Sequence, residues 1–364
     1  MEGAMGVSKI AQIDKNFAAE KLVEEGEKAY YSLPHPDFSL YGVRYDEERK
    51  RFVRMDVSVA EKVSEVLSQL AQRASGGRIA FATDSTLLTI SATYEDFCNM
   101  PHMPLSGSSG FSLFEEGEDG WRFVKSFAPQ PWETNAFTAE TALQGGRMRK
   151  YLLYFPLYNE VNTLSIGLTK GAGVQRIYPY REIAPILYYG SSITQGGCAS
   201  RPDTCYPAII SKKNAIDYIN LGFSGNAKGE TIIAEYLAGI DCSLFVCDYD
   251  HNAPSTDYLQ NTHYAFYERY RALRPHTPIL FLTKPDLDGG EEGKEREQII
   301  RATYKKAKKA GDKRVYFLSG RHFYKGEDRG VFSVDGCHPT DFGFQRMAAE
   351  IYKKIIKIDK KFRG

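Results

Sequence analysis

The chain has 364 residues, and its 47 lysines and arginines against 46 aspartates and glutamates leave a formal net charge of +1. Such a mixed, nearly neutral charge argues against nucleic acid or an anionic membrane as a partner. No apolar run reaches membrane-spanning length and no basic segment followed by an apolar one opens the sequence, so we predict a cytoplasmic location without membrane contact.

The first part of the chain favours an accessory β domain. Residues 1–28 are charged and amphipathic, which predicts a peripheral N-terminal arm. Residues 29–178 then carry short β-prone runs separated by turns, with one helical segment at about 57–73. The runs lie at 78–83, 87–92, 121–124, 151–155 and 163–168. Their close spacing predicts an antiparallel β-sandwich.

The rhythm changes in the second part, residues 179–364. Strand candidates at 185–189, 215–219, 243–248, 277–283 and 314–318 alternate with helical patterns. The helices are expected near 204–212, 228–239, 256–274, 293–310 and 341–357. Five βα units of this kind predict a three-layer α/β domain with a parallel five-stranded sheet. The short linker from Gly171 to Arg181 predicts that the two domains pack together.

Chemistry-bearing residues cluster in four blocks at strand ends or in the loop before the last helix. The blocks are 190–192 (GSS), 220–226 (NLGFSGN), 248–254 (DYDHNAP) and 335–339 (DGCHP). Because parallel strands end at a common edge where ligands bind, we expect the four blocks to converge there.

The residue types in these blocks fit acyl transfer, which needs a nucleophile, a base and oxyanion donors. Ser192 can supply the nucleophile and His338 the base, while Asp335 can hold the imidazole in the required tautomer. The backbone N–H groups of Ser192 and Gly225 and the amide of Asn252 are candidate oxyanion donors. At Gly225 the missing Cβ would let an acyl group approach the N–H closely.

These blocks resemble the SGNH (GDSL-type) hydrolases, which are named for the Ser, Gly, Asn and His of their four motif blocks. The matching residues are Ser192, Gly225, Asn252 and His338, with Asp335 completing the Asp-x-x-His block. Two blocks depart from the family pattern. Gly-Ser-Ser replaces Gly-Asp-Ser at 190–192, and Asp-His-Asn-Ala replaces Gly-x-Asn-Asp at 250–253.

Further segments resemble the SGNH subgroup that carries an N-terminal GxDLY domain. They are 190–201 (GSSITQGGCASR), 220–226, 99–107 (NMPHMPLSG) and 151–159 (YLLYFPLYN). The naming motif itself falls at 110–114 as GFSLF, with Ser for Asp and Phe for Tyr. The resemblance covers the chain from about residue 30 to its end. It implies a β-sandwich joined to a flavodoxin-like hydrolase domain, with members that are esterases and some that transfer acyl groups.

Several neighbouring residues have alternative interpretations. Ser191 is expected to shape the turn rather than to attack. His102, in the Met-Pro-His-Met-Pro segment, and His251 are candidate substrate-cleft residues, with structural roles as the alternatives. Six cysteines are expected to be free thiols, and we predict no metal and no organic cofactor. They are Cys98, Cys198, Cys205, Cys242, Cys247 and Cys337.

The leading hypothesis is a serine esterase that removes small acyl groups, foremost O-acetyl groups from sugars or oligosaccharides. An acyltransferase that uses the same serine is the first alternative. A carbohydrate-binding protein with a vestigial hydrolase domain is the second, motivated by the altered third block. A lysophospholipase is less favoured because the sequence lacks a long apolar stretch. The partner is then a small-molecule or oligosaccharide ester, and the sequence leaves homo-oligomerisation open.

Overall fold

The computed structural model describes residues 25–285, 290–326 and 328–364. The predicted N-terminal arm therefore lies outside the described residues, apart from residues 25–28. Among the described residues, no helix combines the length and the apolar character that crossing a membrane requires.

The first part of the chain folds into two antiparallel sheets. One sheet has the strand order β1-β11-β6-β9, and the other has the order β12-β5-β10-β7-β8 with β2 also paired to β5. A separate hairpin joins β3 to β4. The strands are β1 (Lys28–Ser32), β2 (Ser39–Tyr41), β3 (Arg44–Asp46), β4 (Arg51–Val53), β5 (Arg78–Thr83), β6 (Leu87–Thr93), β7 (Phe111–Gly117), β8 (Gly120–Phe127), β9 (Ala136–Ala142), β10 (Arg149–Tyr154), β11 (Thr163–Thr169) and β12 (Val174–Arg176).

Strand β10 shows how the two domains share their cores. Tyr151 and Leu153 point into the core between the two sheets. Leu152 and Tyr154, on the opposite face of the strand, belong to the core that continues into the second domain. Alternate residues of a strand face opposite sides, so an unbroken apolar run is buried on both. The predicted β-sandwich is confirmed, and one of its sheets packs against the second domain.

The predicted helix at 57–73 is wrong in one respect, because it consists of two short helices, α1 (Val57–Glu61) and α2 (Glu65–Ala71). The Ser64 side chain accepts a hydrogen bond from Leu67 N and starts the second helix as its N-cap. A third short helix, α3 (Leu105–Ser108), precedes β7.

The second part of the chain forms a parallel sheet of five strands in the order β14-β13-β15-β16-β17. This 2-1-3-4-5 order is that of flavodoxin-like folds and confirms the predicted fold class. The strands are β13 (Ile186–Gly190), β14 (Tyr218–Gly222), β15 (Leu244–Asp248), β16 (Ile279–Leu282) and β17 (Val315–Leu318). The helices are α4 (Ser192–Gln195), α5 (Tyr206–Asn214), α6 (Thr231–Ala238), α7 (Thr256–Leu273), α8 (Glu291–Lys309) and α9 (Asp341–Ile358).

Strand β14 corrects a boundary, since we predicted 215–219 and the strand spans Tyr218–Gly222. Ala215 ends helix α5 in the left-handed region, with a φ of 48°, so the chain must turn before it can extend. The shift matters for the site because it brings the second motif block directly to the end of β14.

Candidate active site

The serine turn directly follows β13, an interior strand that pairs with β14 and β15. Ser192 is the first residue of α4, and the Ser191 hydroxyl caps that helix by accepting a hydrogen bond from Ile193 N at 3.2 Å. Ser191 thus has the turn-shaping role that the sequence suggested. Ser192 is 6% exposed, and its N–H precedes the first hydrogen-bonded turn of the helix.

The structure brings Ser192, His338 and Asp335 into one hydrogen-bonded series. Ser192 Oγ lies 2.8 Å from His338 Nε2, and His338 Nδ1 lies 2.7 Å from Asp335 Oδ2. The other oxygen, Asp335 Oδ1, accepts the backbone N–H groups of Cys337 at 2.9 Å and His338 at 2.7 Å. This geometry lets the imidazole take a proton from the serine while the carboxylate orients the ring.

The ionisation of Asp335 is set by these hydrogen bonds. Partial burial alone would raise the pKa of Asp335, but the donors from the His338 backbone, the His338 ring and the Cys337 backbone outweigh it. They lower the pKa of Asp335 to about 2, so the group is a carboxylate at neutral pH.

Gly225 has the backbone conformation that glycine favours, with a φ of +67°. Among the described residues, no atom lies within 4 Å of a Cβ built there. The left-handed backbone by itself favours glycine at this position, and the close approach of an acyl group to its N–H stays a prediction. Within the described part of the chain its N–H donates to no other group, which leaves it available as an oxyanion donor.

Asn252 is fixed beside the same block. Its side-chain Nδ2 donates to the carbonyl of Phe223 at 2.9 Å. The Phe223 N–H in turn donates to Gly190 O at 2.7 Å, and Ser224 N donates to Gln195 Oε1 at 3.0 Å. The second and third motif blocks are therefore tied to the serine turn, and Asn252 retains a second amide hydrogen for a ligand.

Arg54 of the first domain donates hydrogen bonds to backbone carbonyls of the second motif block, 220–226. This residue was not identified from the sequence. Its guanidinium donates to the carbonyls of Asn220, Gly222 and Leu70 and stacks over the Phe223 ring at 4.6 Å. Burial lowers the pKa of Arg54 to about 9, so it remains charged at neutral pH. An arginine inside the apolar run of residues 52–55 was the only available signal.

Residues of the first domain also form hydrogen bonds with the serine turn. Ser75 Oγ donates to Gln195 O at 2.7 Å, and Gln195 Nε2 donates to Leu157 O at 3.1 Å. The buried Tyr158 hydroxyl lies 3.5 Å from Ser192 O. Contacts of this kind across the domain boundary make the first domain part of the site's support.

The two candidate cleft histidines occupy different surroundings. The exposed His102 ring comes from the first domain and lies 6.1 Å, centroid to centroid, from the His338 ring. His251 pairs through Nδ1 with Asp250 Oδ1 at 3.1 Å, and its buried Nε2 has no hydrogen-bond partner among the described residues. His102 therefore lies beside the serine–histidine–aspartate series, whereas His251 is held by Asp250.

Asp248, at the end of β15, is a buried acid beneath the serine turn. Thr194 Oγ1 and Tyr206 Oη donate to its Oδ2 at 3.0 and 3.2 Å. Burial raises the pKa of Asp248 to about 6, and the nearby charge of Asp250 adds to the rise.

A parallel sheet with a serine–histidine–aspartate series at its carboxyl edge is the arrangement of an α/β serine hydrolase. The chain belongs to the GDSL-like lipase/acylhydrolase family. Residues 183–357 match the model described as GDSL-like Lipase/Acylhydrolase family, and residues 29–174 match that of the N-terminus of SGNH-type esterases. The resemblance to the SGNH subgroup with a GxDLY domain is thereby confirmed.

Solved structures agree with this membership. A GDSL-like lipase from Bacteroides ovatus is 30% identical with a TM-score of 0.81, over 92% of this chain and 100% of that one. The salicylyl-acyltransferase SsfX3 of a tetracycline biosynthetic pathway is 16% identical with a TM-score of 0.73, over 91% of this chain and 98% of that one.

An acetyl xylan esterase, Est2A from Butyrivibrio proteoclasticus, is 14% identical with a TM-score of 0.59, over 91% of this chain and 98% of that one. At these identities the last two structures share the fold alone. Among curated protein sequences, none matches the chain.

Proposed function

We propose that the protein is a serine esterase that hydrolyses small acyl esters, with O-acetyl groups on sugars or oligosaccharides as its substrates. The observation that carries the proposal is the series from Ser192 Oγ through the His338 ring to Asp335 Oδ2, with separations of 2.8 and 2.7 Å. The acetyl-sugar part is supported by the fold shared with an acetyl xylan esterase.

The mechanism proceeds through an acyl-enzyme. His338 Nε2 takes the proton of Ser192 as Oγ attacks the ester carbonyl carbon. The oxyanion then receives hydrogen bonds from the N–H groups of Ser192 and Gly225 and from Asn252. His338 gives its proton to the leaving alcohol, next activates water, and the acid is released from Ser192. Asp335, ionised at neutral pH, stabilises the imidazolium in both halves of the cycle.

The test is hydrolysis of 4-nitrophenyl acetate, butyrate and octanoate, with acetate release from acetylated oligosaccharides measured alongside. Ser192→Ala should abolish turnover, whereas Ser191→Ala, one residue away, should lose some stability as a helix cap but retain turnover. Acetate preference supports the acetyl-ester assignment. Equal turnover by wild type and Ser192→Ala would contradict the mechanism.

An acyltransferase is the second candidate, because the likeness to the salicylyl-acyltransferase extends over 91% of this chain, including the first domain. Both activities share the acyl-enzyme and differ in what attacks it. Product partition between water and added alcohols or sugars separates them. A dominant ester product at millimolar acceptor would favour transfer.

The carbohydrate-binding hypothesis rests on the altered third block, Asp250–Ala253. The hydrogen-bonded Ser192, His338 and Asp335 speak against a vestigial site. Unchanged glycan binding by Ser192→Ala, together with no ester cleavage by wild type, would favour that hypothesis instead.

A further inference from the structure

Three side chains with metal-ligating atoms meet at the edge of the candidate active site. The His102 nitrogen, the Cys198 sulfur and an Asp335 carboxylate oxygen all lie within 4.8 Å of one another. They come from three separate segments: a loop of the first domain, the loop after α4 and the loop before α9. His102 and Asp335 are exposed, and Cys198 is 6% exposed.

The set contains the three donor types that zinc takes in proteins, namely imidazole nitrogen, thiolate sulfur and carboxylate oxygen. Metal–ligand lengths of about 2.0–2.3 Å place neighbouring ligands of a tetrahedral site roughly 3.5 Å apart. The separations between the three ligand atoms must therefore shorten by up to about 1.3 Å. The exposed side chains of His102 and Asp335 can supply that movement, and water can complete the coordination.

Asp335 can accept only one further ligand without losing a hydrogen bond. A carboxylate has about four lone-pair sites. Oδ1 already accepts two backbone N–H groups, and Oδ2 accepts one bond from the His338 ring. The remaining acceptor site is on Oδ2, the atom that orients His338. A cation held there would compete with the imidazolium for the charge of Asp335.

We infer that His102, Cys198 and Asp335 form a zinc site, and that zinc bound there reversibly turns the enzyme off. The inhibitory half of this inference rests on the proposed esterase function. Binding replaces the Cys198 S–H bond by a sulfur–zinc bond, and the proton passes to the buffer without any change of oxidation state. Zinc at the remaining acceptor site of Oδ2 then competes with the His338 imidazolium for the charge of Asp335, so proton transfer from Ser192 loses its support.

Binding is tested without substrate, by calorimetric titration of ZnCl2 into the full-length protein after chelator treatment. Wild type should bind one zinc ion at micromolar concentrations. His102→Ala and Cys198→Ala should each weaken binding by about tenfold or more, since each removes one of three ligands. Cys337→Ala, the matched control for the neighbouring thiol, should bind as wild type does. MgCl2 should give no comparable binding, because magnesium prefers oxygen ligands.

Inhibition is tested with 4-nitrophenyl acetate, each variant being compared with its own zinc-free rate. Zinc should inhibit wild type, EDTA should restore the rate, and His102→Ala and Cys198→Ala should resist inhibition. The proposed zinc site would be overturned if wild type showed no saturable zinc binding. It would also be overturned if His102→Ala and Cys198→Ala both bound zinc with wild-type affinity. Binding without inhibition would overturn the regulatory role. Zinc binding by Ser192→Ala, which keeps all three ligands, separates failure of the site from failure of the esterase proposal.

Discussion

Gly197 allows a stringent test of the geometry around His338. A Cβ at this position would lie 2.9 Å from Tyr158 Oη, 3.2 Å from His338 Cδ2 and 3.2 Å from Ser192 O. All three distances are shorter than the optimal separation of about 3.5–4.0 Å. Tyr158 is buried and the Ser192 oxygen belongs to the backbone, so the His338 ring is the neighbour most able to give way.

The expected effect of Gly197→Ala follows from these distances. Restoring ordinary contact moves the ring by a few tenths of an ångström, which lengthens the 2.8 Å contact between Ser192 Oγ and His338 Nε2. Because misplacement by about 1 Å can cost 10²-fold, a shift of a few tenths of an ångström should lower kcat by about 3- to 10-fold. Overpacking should also lower the free energy of unfolding by about 1–3 kcal/mol.

The assay is the kinetics of 4-nitrophenyl acetate hydrolysis together with urea unfolding. Gly293→Ala is the matched control, because a Cβ there, on helix α8, meets nothing within 4 Å. It should leave kcat unchanged and stabilise the helix by about 0.5–1 kcal/mol. Adding Tyr158→Phe to Gly197→Ala removes the shortest contact and should restore part of kcat. Wild-type kcat in Gly197→Ala would refute this account of His338 placement.

Three further variants test other parts of the site. Asp335→Asn should lower kcat by about 10²–10⁴ with little change in KM, since the imidazolium loses its carboxylate; a loss below threefold would contradict that role. Arg54→Met should lower the free energy of unfolding by about 3 kcal/mol or more, because buried carbonyls of Leu70, Asn220 and Gly222 lose their donors, and kcat should fall more than KM changes. If kcat is unchanged, Arg54 serves stability alone. Asp248→Asn should alter the pH dependence of unfolding. Since Asp248 has a pKa of about 6 when folded and near 4 when unfolded, its contribution to stability is full below about pH 4 and is lost as pH rises through 6. Between about pH 4 and pH 6 the free energy of unfolding of Asp248→Asn should therefore rise relative to that of wild type. Parallel curves of unfolding free energy against pH would contradict the raised pKa of Asp248.

The sequence by itself determined the five strands of the second part of the chain, their alternation with helices and their order along the chain. The run Ile186–Gly190 is apolar without alternation, and the structure buries it on both faces as an interior strand of the parallel sheet. Because parallel strands end at one edge, the motif blocks at the strand ends were sufficient to predict which residues would meet. The sequence was enough to predict that three side chains come together, because two of them lie in the same short loop. The three are Ser192, His338 and Asp335.

The boundaries of helices and strands depended on capping and backbone angles, which the hydrophobic periodicity of the sequence does not indicate. The helix predicted at 57–73 is divided at Ser64 because its hydroxyl caps a new helix. The strand predicted at 215–219 starts later because Ala215 adopts a left-handed backbone. For Gly225 the sequence predicts an oxyanion donor, and only the structure shows that the backbone there is left-handed, which favours glycine.

Only the tertiary structure decided what surrounds the site. Arg54 contacts the second motif block across 168 positions of sequence, and His102 lies beside His338 because the two domains dock. Spacing along the chain gave no metal cluster, yet docking places His102, Cys198 and Asp335 together. Local patterns determine which face of an element is buried, since periodicity controls side-chain direction. Which distant element covers that face depends on the packing of the whole chain.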